Sequence, residues 1–283
     1  MQIQTGEPSA QVAAEKEELL FGRLADLPSL IVALSGGIDS AYLAWAAYRA
    51  LGNRALSVTA ISASYSAFDR EQVESFLTTT GARHEFIQTN ELENPAYRVN
   101  NTNRCYYCKD ELFSMLDKLA SDRQFAAVAY GVNADDTSDF RPGQRAAAEH
   151  RVLTPLLDAQ MHKPEIRFLA QRAGLPMWDR PASACLASRL PYGTEVTEER
   201  LALVERGEAA LRALGFRQFR VRLHDKLGRV EVAPDELSRA LNADMAAAIS
   251  SALKEAGFTY VTLDLEGYRQ GSLNETLRKA KGT

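Results

Sequence analysis

Short apolar runs alternate, through the first two thirds of the chain, with stretches whose apolar side chains recur every three or four positions. Residues 10 to 26 predict a helix with Leu19, Leu20 and Leu24 on one side, preceded by a mobile tail over residues 1 to 9. Leu30-Ile31-Val32-Ala33-Leu34 predicts a buried strand, and Leu43, Ala46, Ala47 and Leu51 mark the helix that follows it. A second strand is expected over residues 55 to 62, a helix from Asp69 to Thr80 and a weaker strand over 83 to 88. Phe125-Ala126-Ala127-Val128-Ala129-Tyr130-Gly131 predicts a fourth strand and residues 151 to 156 a fifth. Pro164 opens a short helix that Gly174 closes. Strand and helix in alternation predict an α/β fold with a doubly wound parallel sheet.

The texture then changes. Pro176, Pro181 and Pro191 break any regular pattern across a long irregular segment, and loops of that length in a compact domain are usually functional. After Thr194 the pattern predicts helix 197–214, strands 219–224 and 229–232, helix 235–256 and strand 260–265. Two domains are therefore expected: residues 1–193, and a smaller α+β domain over 194–283 that serves substrate binding and self-association in a homo-oligomer. In the first of its strands, alternation of Val221 and Leu223 leaves Arg220, Arg222 and His224 together on the opposite face. A solvated polar face is the default reading. Side by side, however, those three groups repel, which points as readily to an anionic partner such as a phosphate.

Composition narrows the class. With 283 residues, 46% of them hydrophobic, the chain can bury a substantial core. No apolar stretch approaches the roughly 20 residues that span a bilayer, and the N-terminal residues lack a basic region followed by an apolar one. A soluble cytoplasmic protein is expected. A formal net charge of -4 and a pI near 5.7 argue against a surface built for a long nucleic acid. Three cysteines, an odd number, fit reactive or metal-binding thiols better than a disulfide framework.

The most informative stretch is Ser35-Gly36-Gly37-Ile38-Asp39-Ser40, the turn between the first strand and its helix. Paired glycines let the backbone approach an anion, the helix N-terminus offers unpaired N–H groups, and Ser35 and Ser40 add hydroxyls. Asp39 beside phosphates calls for a cation, and Mg²⁺ is the obvious one. The plainer reading is a strand-to-helix connection in which Asp39 and Ser40 cap the helix. No Gly-Lys-Ser/Thr follows, so this is not a Walker A loop, and the third glycine of a dinucleotide fingerprint is absent. Gly131, at the end of the fourth strand, is expected beside this loop as part of the ATP site. Asp135 or Asp136, just beyond it, would touch a metal or ribose or else lie in a solvated turn.

Cys105-Tyr106-Tyr107-Cys108 precedes a helix carrying Leu112, Met115, Leu116 and Leu119 on one face, and Cys185 lies in the irregular segment. The Cys-x-x-Cys spacing suits an iron–sulfur cluster, a redox disulfide or zinc. Structural zinc would want a fourth ligand, and neither His84 nor His162 has a spacing that recommends it. Three thiolates suit a 4Fe–4S cluster with one iron left open to bind sulfide.

The hexapeptide resembles the signature of PP-loop ATP pyrophosphatases, the superfamily of GMP synthetase, NAD synthetase and the tRNA thiolation enzymes. That resemblance implies cleavage of ATP to AMP and pyrophosphate, with a substrate oxygen adenylated on the way. The loop, the residues 103 to 109, 184 to 193 and 220 to 224, and Val261-Thr262-Leu263-Asp264-Leu265-Glu266-Gly267-Tyr268-Arg269 together look like the LarE family of sulfur transferases. Membership would imply adenylation of the carboxylates of pyridinium-3,5-biscarboxylic acid mononucleotide and replacement of AMP by sulfur. The product would be the ligand of the nickel-pincer nucleotide cofactor of lactate racemase. Some members carry only the cysteine matching Cys185 and sacrifice its sulfur; Cys105 and Cys108 make this chain look like the cluster-bearing branch. On this reading Ser35, Gly36, Gly37, Asp39 and Ser40 hold pyrophosphate and Mg²⁺. Cys105, Cys108 and Cys185 hold the cluster, and Lys109, Arg189, Arg220 and Arg222 bind the substrate's phosphate and carboxylates. The alternatives are a tRNA thiolation enzyme, a non-catalytic ATP-binding iron–sulfur carrier and an amide-forming synthetase.

Overall fold

The structure is a computed structural model that describes residues 9–138, 142–181, 183–269 and 271–274; the expected N-terminal tail, apart from Ser9, lies outside them. In chain order, helix α1 (Ala10–Ala25) leads to strand β1 (Leu30–Ala33), helix α2 (Ile38–Leu51), strand β2 (Ala55–Ile61), helix α3 (Ala67–Thr80) and strand β3 (His84–Gln88). Next come α4 (Pro95–Arg98), α5 (Arg104–Arg123), β4 (Ala127–Tyr130), α6 (Pro142–Glu149), α7 (Pro155–Asp158) and α8 (Lys163–Arg172). The remainder holds α9 (Glu198–Ala213), β5 (Phe219–His224), β6 (Leu227–Val232), α10 (Leu237–Ala240), α11 (Ala243–Ala256) and β7 (Tyr260–Leu263). Among the described residues no helix is long and apolar enough to cross a membrane.

Two compact units form. The first takes the chain through Glu91 and resumes at Cys105; the second takes Leu92–Arg104 and the chain from Ser183 onward. In the first unit the four strands are all parallel, in the order β3-β2-β1-β4. Alternation along β1 serves both faces of the sheet. Leu30 and Val32 join a core with residues of α1, α2 and α8, whereas Ile31 and Ala33 join Phe113 and Leu116 of α5 and Ala146 and Ala147 of α6. The sheet is thus covered on both sides, as the alternating pattern predicts.

Strand order reverses between β1 and β4, so the loops that leave these neighbours diverge and open a crevice at their C-terminal ends. Gly131 closes the back of that crevice. A Cβ there would lie 2.6 Å from Ser40 N and 2.8 Å from Asp39 C, so only glycine admits the start of α2.

Three local readings are corrected. The fifth strand is reduced to a single parallel bridge, Ala129↔Leu153, because Pro155 has no N–H to continue a ladder and instead opens α7. Cys105 and Cys108 lie within α5, as its second and fifth residues, rather than before the helix, which puts them about one turn apart on one face. The helix expected over 235–256 is interrupted: Asn242 leaves helical geometry and its side chain accepts from Asp244 N at 3.0 Å, capping α11.

In the second unit β5 pairs antiparallel with β6 and β6 parallel with β7. Phe258 is wedged between α9 and this sheet: a Cβ on Gly207 would lie 2.8 Å from its Cε2, and one on Gly228 would lie 2.8 Å from its Cδ1. Either glycine to alanine should therefore lower stability by about 1–3 kcal/mol through overpacking. Gly22→Ala, in an exposed helical position with nothing within 4 Å of the new methyl, should raise it by about 0.5–1 kcal/mol. Urea denaturation of the three variants checks both signs.

Candidate active site

The turn after β1 is tied by its two serines. Ser35 N donates to Ser40 Oγ at 3.1 Å, Ser40 Oγ donates to Gly37 O at 2.9 Å, and the two hydroxyl oxygens are 3.1 Å apart. Gly37 caps α2 without a side chain, and Gly36 takes φ 83°, so the N-terminus of the helix stays open to a ligand. Ser35, Gly36, Gly37, Asp39 and Ser40 lie together in this turn, and Gly131 packs against the start of α2.

Asp39 is half paired. One carboxylate oxygen, Oδ2, is in an ion pair with Lys163 Nζ; the other, Oδ1, is buried without a hydrogen-bond partner. Burial pushes this carboxyl above the usual carboxylate range and the neighbouring Asp136 charge adds to the rise, while Lys163 pulls the other way. A buried carboxylate oxygen with no hydrogen-bond partner, at a phosphate-type turn, is a fitting ligand for a hard divalent cation.

Lys163 escaped the sequence reading, and its placement is a chain of local devices. It is the first residue of α8, whose start is fixed by a capping box between His162 and Glu165, with Pro164 in the first turn. Lys16 of α1 pairs with Glu165 at 2.6 Å. Asp135 accepts from Lys163 N and is paired with His162 Nδ1, both at 2.7 Å. Burial would raise the Asp135 carboxyl, but these partners hold it below its ordinary value. Asp135 therefore anchors the helix that presents Lys163. Asp136 instead accepts from Asn133 N at 3.2 Å within its own turn.

Arg180 was missed as well. Its guanidinium is buried, donating to Gly36 O at 2.6 Å and pairing with Asp69, and it stacks over Phe68 at 4.8 Å. Nothing in the local sequence distinguishes it, since its partners lie more than a hundred residues away.

In the second unit Arg189, Arg220 and Arg222 share one buried network. Arg189 grips Glu208 with two bonds, 2.7 and 2.9 Å, and also donates to the carbonyls of Ala184 and Cys185, so it holds the main chain that carries Cys185. Arg222 grips Glu231 at 3.1 and 3.0 Å and donates to Ser188 O at 2.8 Å. Arg220, buried beside them, stacks over Tyr268 at 4.9 Å. Burial, then repulsion from Arg189, pushes its guanidinium down to about 10, against the pull of Glu208. The solvated polar face is thus overturned for Arg220 and Arg222, while His224 is exposed.

Both carboxylates were legible in part. Glu208 lies in register with Leu201, Val204 and Leu211 on the apolar face of α9, and Glu231 pairs directly with Arg220 across β5 and β6. Glu208 is held below its usual range although burial alone would raise it, because Arg189, Arg220 and the Val221 N–H surround it.

Cys105 is exposed and Cys108 half-buried on α5, and Cys185 is exposed in the second unit; none is in a disulfide. Among the described residues no group of three or more His, Cys, Asp or Glu side chains is gathered as a metal site. Lys109, one residue after Cys108, lies 5.7 Å from the ring of Phe113. His84 is committed elsewhere, at 2.9 Å from Thr59 Oγ1, and burial lowers it to about 4.

No protein-family model matches the chain. An uncharacterised protein of Synechocystis is 43% identical over 264 residues, which span 93% of this chain and 98% of that protein. The pyridinium-3,5-bisthiocarboxylic acid mononucleotide synthase of Lactiplantibacillus plantarum is 35% identical over 271 residues, 95% of this chain and 97% of the synthase. An uncharacterised protein of Methanocaldococcus jannaschii is 32% identical over 170 residues, 60% and 66% of the two chains.

The two buried carboxylates predict opposite pH behaviour. Asp39 has its folded-state pKa raised, so its contribution to stability is full below the unfolded pKa and is lost as pH rises through the folded one. Asp39→Asn should melt above the wild type at pH 7 and lose that advantage in acid. Glu208 has its pKa lowered, so its contribution is present at neutral pH and lost as pH falls. Glu208→Gln, which breaks a buried pair, should cost about 3–5 kcal/mol at pH 7, and less in acid. Thermal melts of both variants from about pH 3 to about pH 8, which span the carboxylate range, give the signs.

Proposed function

The chain belongs to the LarE family of pyridinium-3,5-bisthiocarboxylic acid mononucleotide synthases, and on that premise we propose that it inserts sulfur into the carboxylates of pyridinium-3,5-biscarboxylic acid mononucleotide, using ATP. The relationship to the Lactiplantibacillus synthase over nearly the full length of both chains carries this reading. The product is the bisthiocarboxylate ligand of the nickel-pincer nucleotide cofactor.

Sulfur exchange needs activation because a carboxylate oxygen is a poor leaving group. A substrate carboxylate oxygen attacks the α-phosphorus of ATP, the bond from that phosphorus to the bridging oxygen breaks, and pyrophosphate departs. Ser35, Gly36, Gly37 and Ser40 cradle that pyrophosphate, and Lys163 turns part of its charge from Asp39 to the phosphates. Asp39 Oδ1 is the oxygen offered to Mg²⁺, which would neutralise phosphate charge. Sulfur at the hydrosulfide level then attacks the acyl carbon, and AMP leaves with the former carboxylate oxygen. A second ATP serves the second carboxylate.

Arg220 is the residue for the substrate phosphate: it is a buried cation already repelled by Arg189, so an arriving dianion relieves it. Arg189 and Arg222, gripping Glu208 and Glu231, position the segment that holds Cys185, and Lys109 is assigned to a carboxylate. Cys105, Cys108 and Cys185 offer three soft thiolates, a donor set that would hold a 4Fe–4S cluster, which would supply the sulfide. The smaller unit's role in self-association, and a homo-oligomer, complete the reading.

The test is anaerobic incubation of iron- and sulfide-reconstituted protein with ATP, Mg²⁺, sulfide and the biscarboxylate nucleotide, followed by mass spectrometry of small molecules and intact chain. Thiocarboxylate with AMP, over repeated turnovers and an unchanged chain, is the expected result. The same product with one sulfur missing at Cys185 would mean a sacrificial donor and overturn the cluster reading alone. No thiolated product from folded, ATP-binding protein would sink the assignment. Arg220→Met should raise the KM for the nucleotide substrate about tenfold or more and leave that for ATP unchanged.

A further inference from the structure

We propose that Arg180 is a positioning residue for the pyrophosphate loop: its guanidinium fixes the Gly36–Gly37 peptide so that the Gly37 N–H faces the nucleotide's phosphates. The inference rests on reading residues 35–40 as an ATP site and names what holds that site in its binding geometry.

A peptide flanked by two glycines has no Cβ on either side to resist rotation, so a loop rich in such peptides needs an external hold if its N–H groups are to point one way. Arg180 supplies one. Nη1 donates to Gly36 O at 2.6 Å while Nη2 pairs with Asp69, and Phe68 lies under the guanidinium at 4.8 Å. Neither support is loose. Asp69 is buried and accepts from Ser66 Oγ at 2.6 Å, while the Arg180 carbonyl accepts from Arg167 Nη2 at 2.6 Å. Because a trans peptide directs its C=O and N–H to opposite sides, a Gly36 carbonyl turned to Arg180 turns the Gly37 N–H away from it.

Space around the two glycines differs: a Cβ on Gly37 would meet only Ser35 Oγ, at 3.5 Å, among the described residues. A Cβ on Gly36 would lie 2.9 Å from Asp69 O, 3.4 Å from Val73 Cγ2 and 3.5 Å from Tyr65 Oη, so the flank toward the start of α3 is filled. Gly37 N itself reaches only Ser35 Oγ, at 3.4 Å, a long bond that a phosphate oxygen would readily replace. Arginine suits the task where lysine does not, since one planar group must satisfy a carbonyl and a carboxylate together.

The test uses the full chain with Arg180→Met and Arg180→Lys, titrated calorimetrically with inorganic pyrophosphate, ATP and AMP in the presence of Mg²⁺, alongside melting curves. If the peptide is held for the β- and γ-phosphates, R180M weakens pyrophosphate and ATP about tenfold or more and leaves AMP within about twofold. R180K, which keeps the charge beside Asp69, shows a smaller loss with the same selectivity, and it decides the matter if R180M does not fold. Equal losses for all three ligands would reduce Arg180 to general structural support and overturn the proposal. So would unchanged pyrophosphate affinity in both variants. A folded wild type that binds neither ATP nor pyrophosphate would overturn the parent reading, and this one with it.

Discussion

A carboxylate kept from water with only one of its oxygens paired is the constraint around which the first unit is arranged. Asp39 sits where the α2 N-terminus, the back of Gly131 and the Lys163 ammonium meet. Burial disfavours its charge, and Lys163 offsets that in part. The arrangement leaves an unmet demand for positive charge beside Oδ1. Each neighbour is in turn held by something further out: Lys163 by the Asp135 and Glu165 supports of α8, and the loop carbonyl by Arg180 and Asp69. Precision at the turn is therefore a property of the whole unit rather than of six residues.

The second unit solves a different problem by a related means. Among the charged groups it buries are Arg189, Arg220 and Arg222 with Glu208 and Glu231, and the half-buried Arg229 also pairs with Glu231, at 3.2 Å. Two of the arginines are consumed in two-pronged pairs, and both also bind main-chain carbonyls of the 184–188 segment. Buried ion pairs of this kind add little net stability compared with apolar packing, but breaking one is costly, so they favour a single arrangement. Here that arrangement fixes the backbone at Cys185, and burial together with repulsion from Arg189 presses on the charge of Arg220.

Much of this was legible in the chain itself. The alternation of apolar runs and helical periods determined the doubly wound parallel sheet, because a strand buried on both faces reads as a continuous apolar run. Paired glycines beside Asp39 and two serines marked where the loop lies, because its turn is closed locally by the hydroxyls of Ser35 and Ser40. The Pro155 misreading and the split at Asn242 failed for a local reason: one proline and one capping side chain outweighed an apolar pattern. Glu208 could have been read from its place among Leu201, Val204 and Leu211, since a carboxylate on an apolar helix face needs a partner. What only the tertiary structure decided were the partners: Lys163 for Asp39, Arg180 for Gly36, Glu208 for Arg189. Each joins residues set apart in sequence, by 124, 144 and 19 positions. Period and spacing describe what a segment does to itself, whereas an ion pair across elements exists only once packing has brought its two ends together.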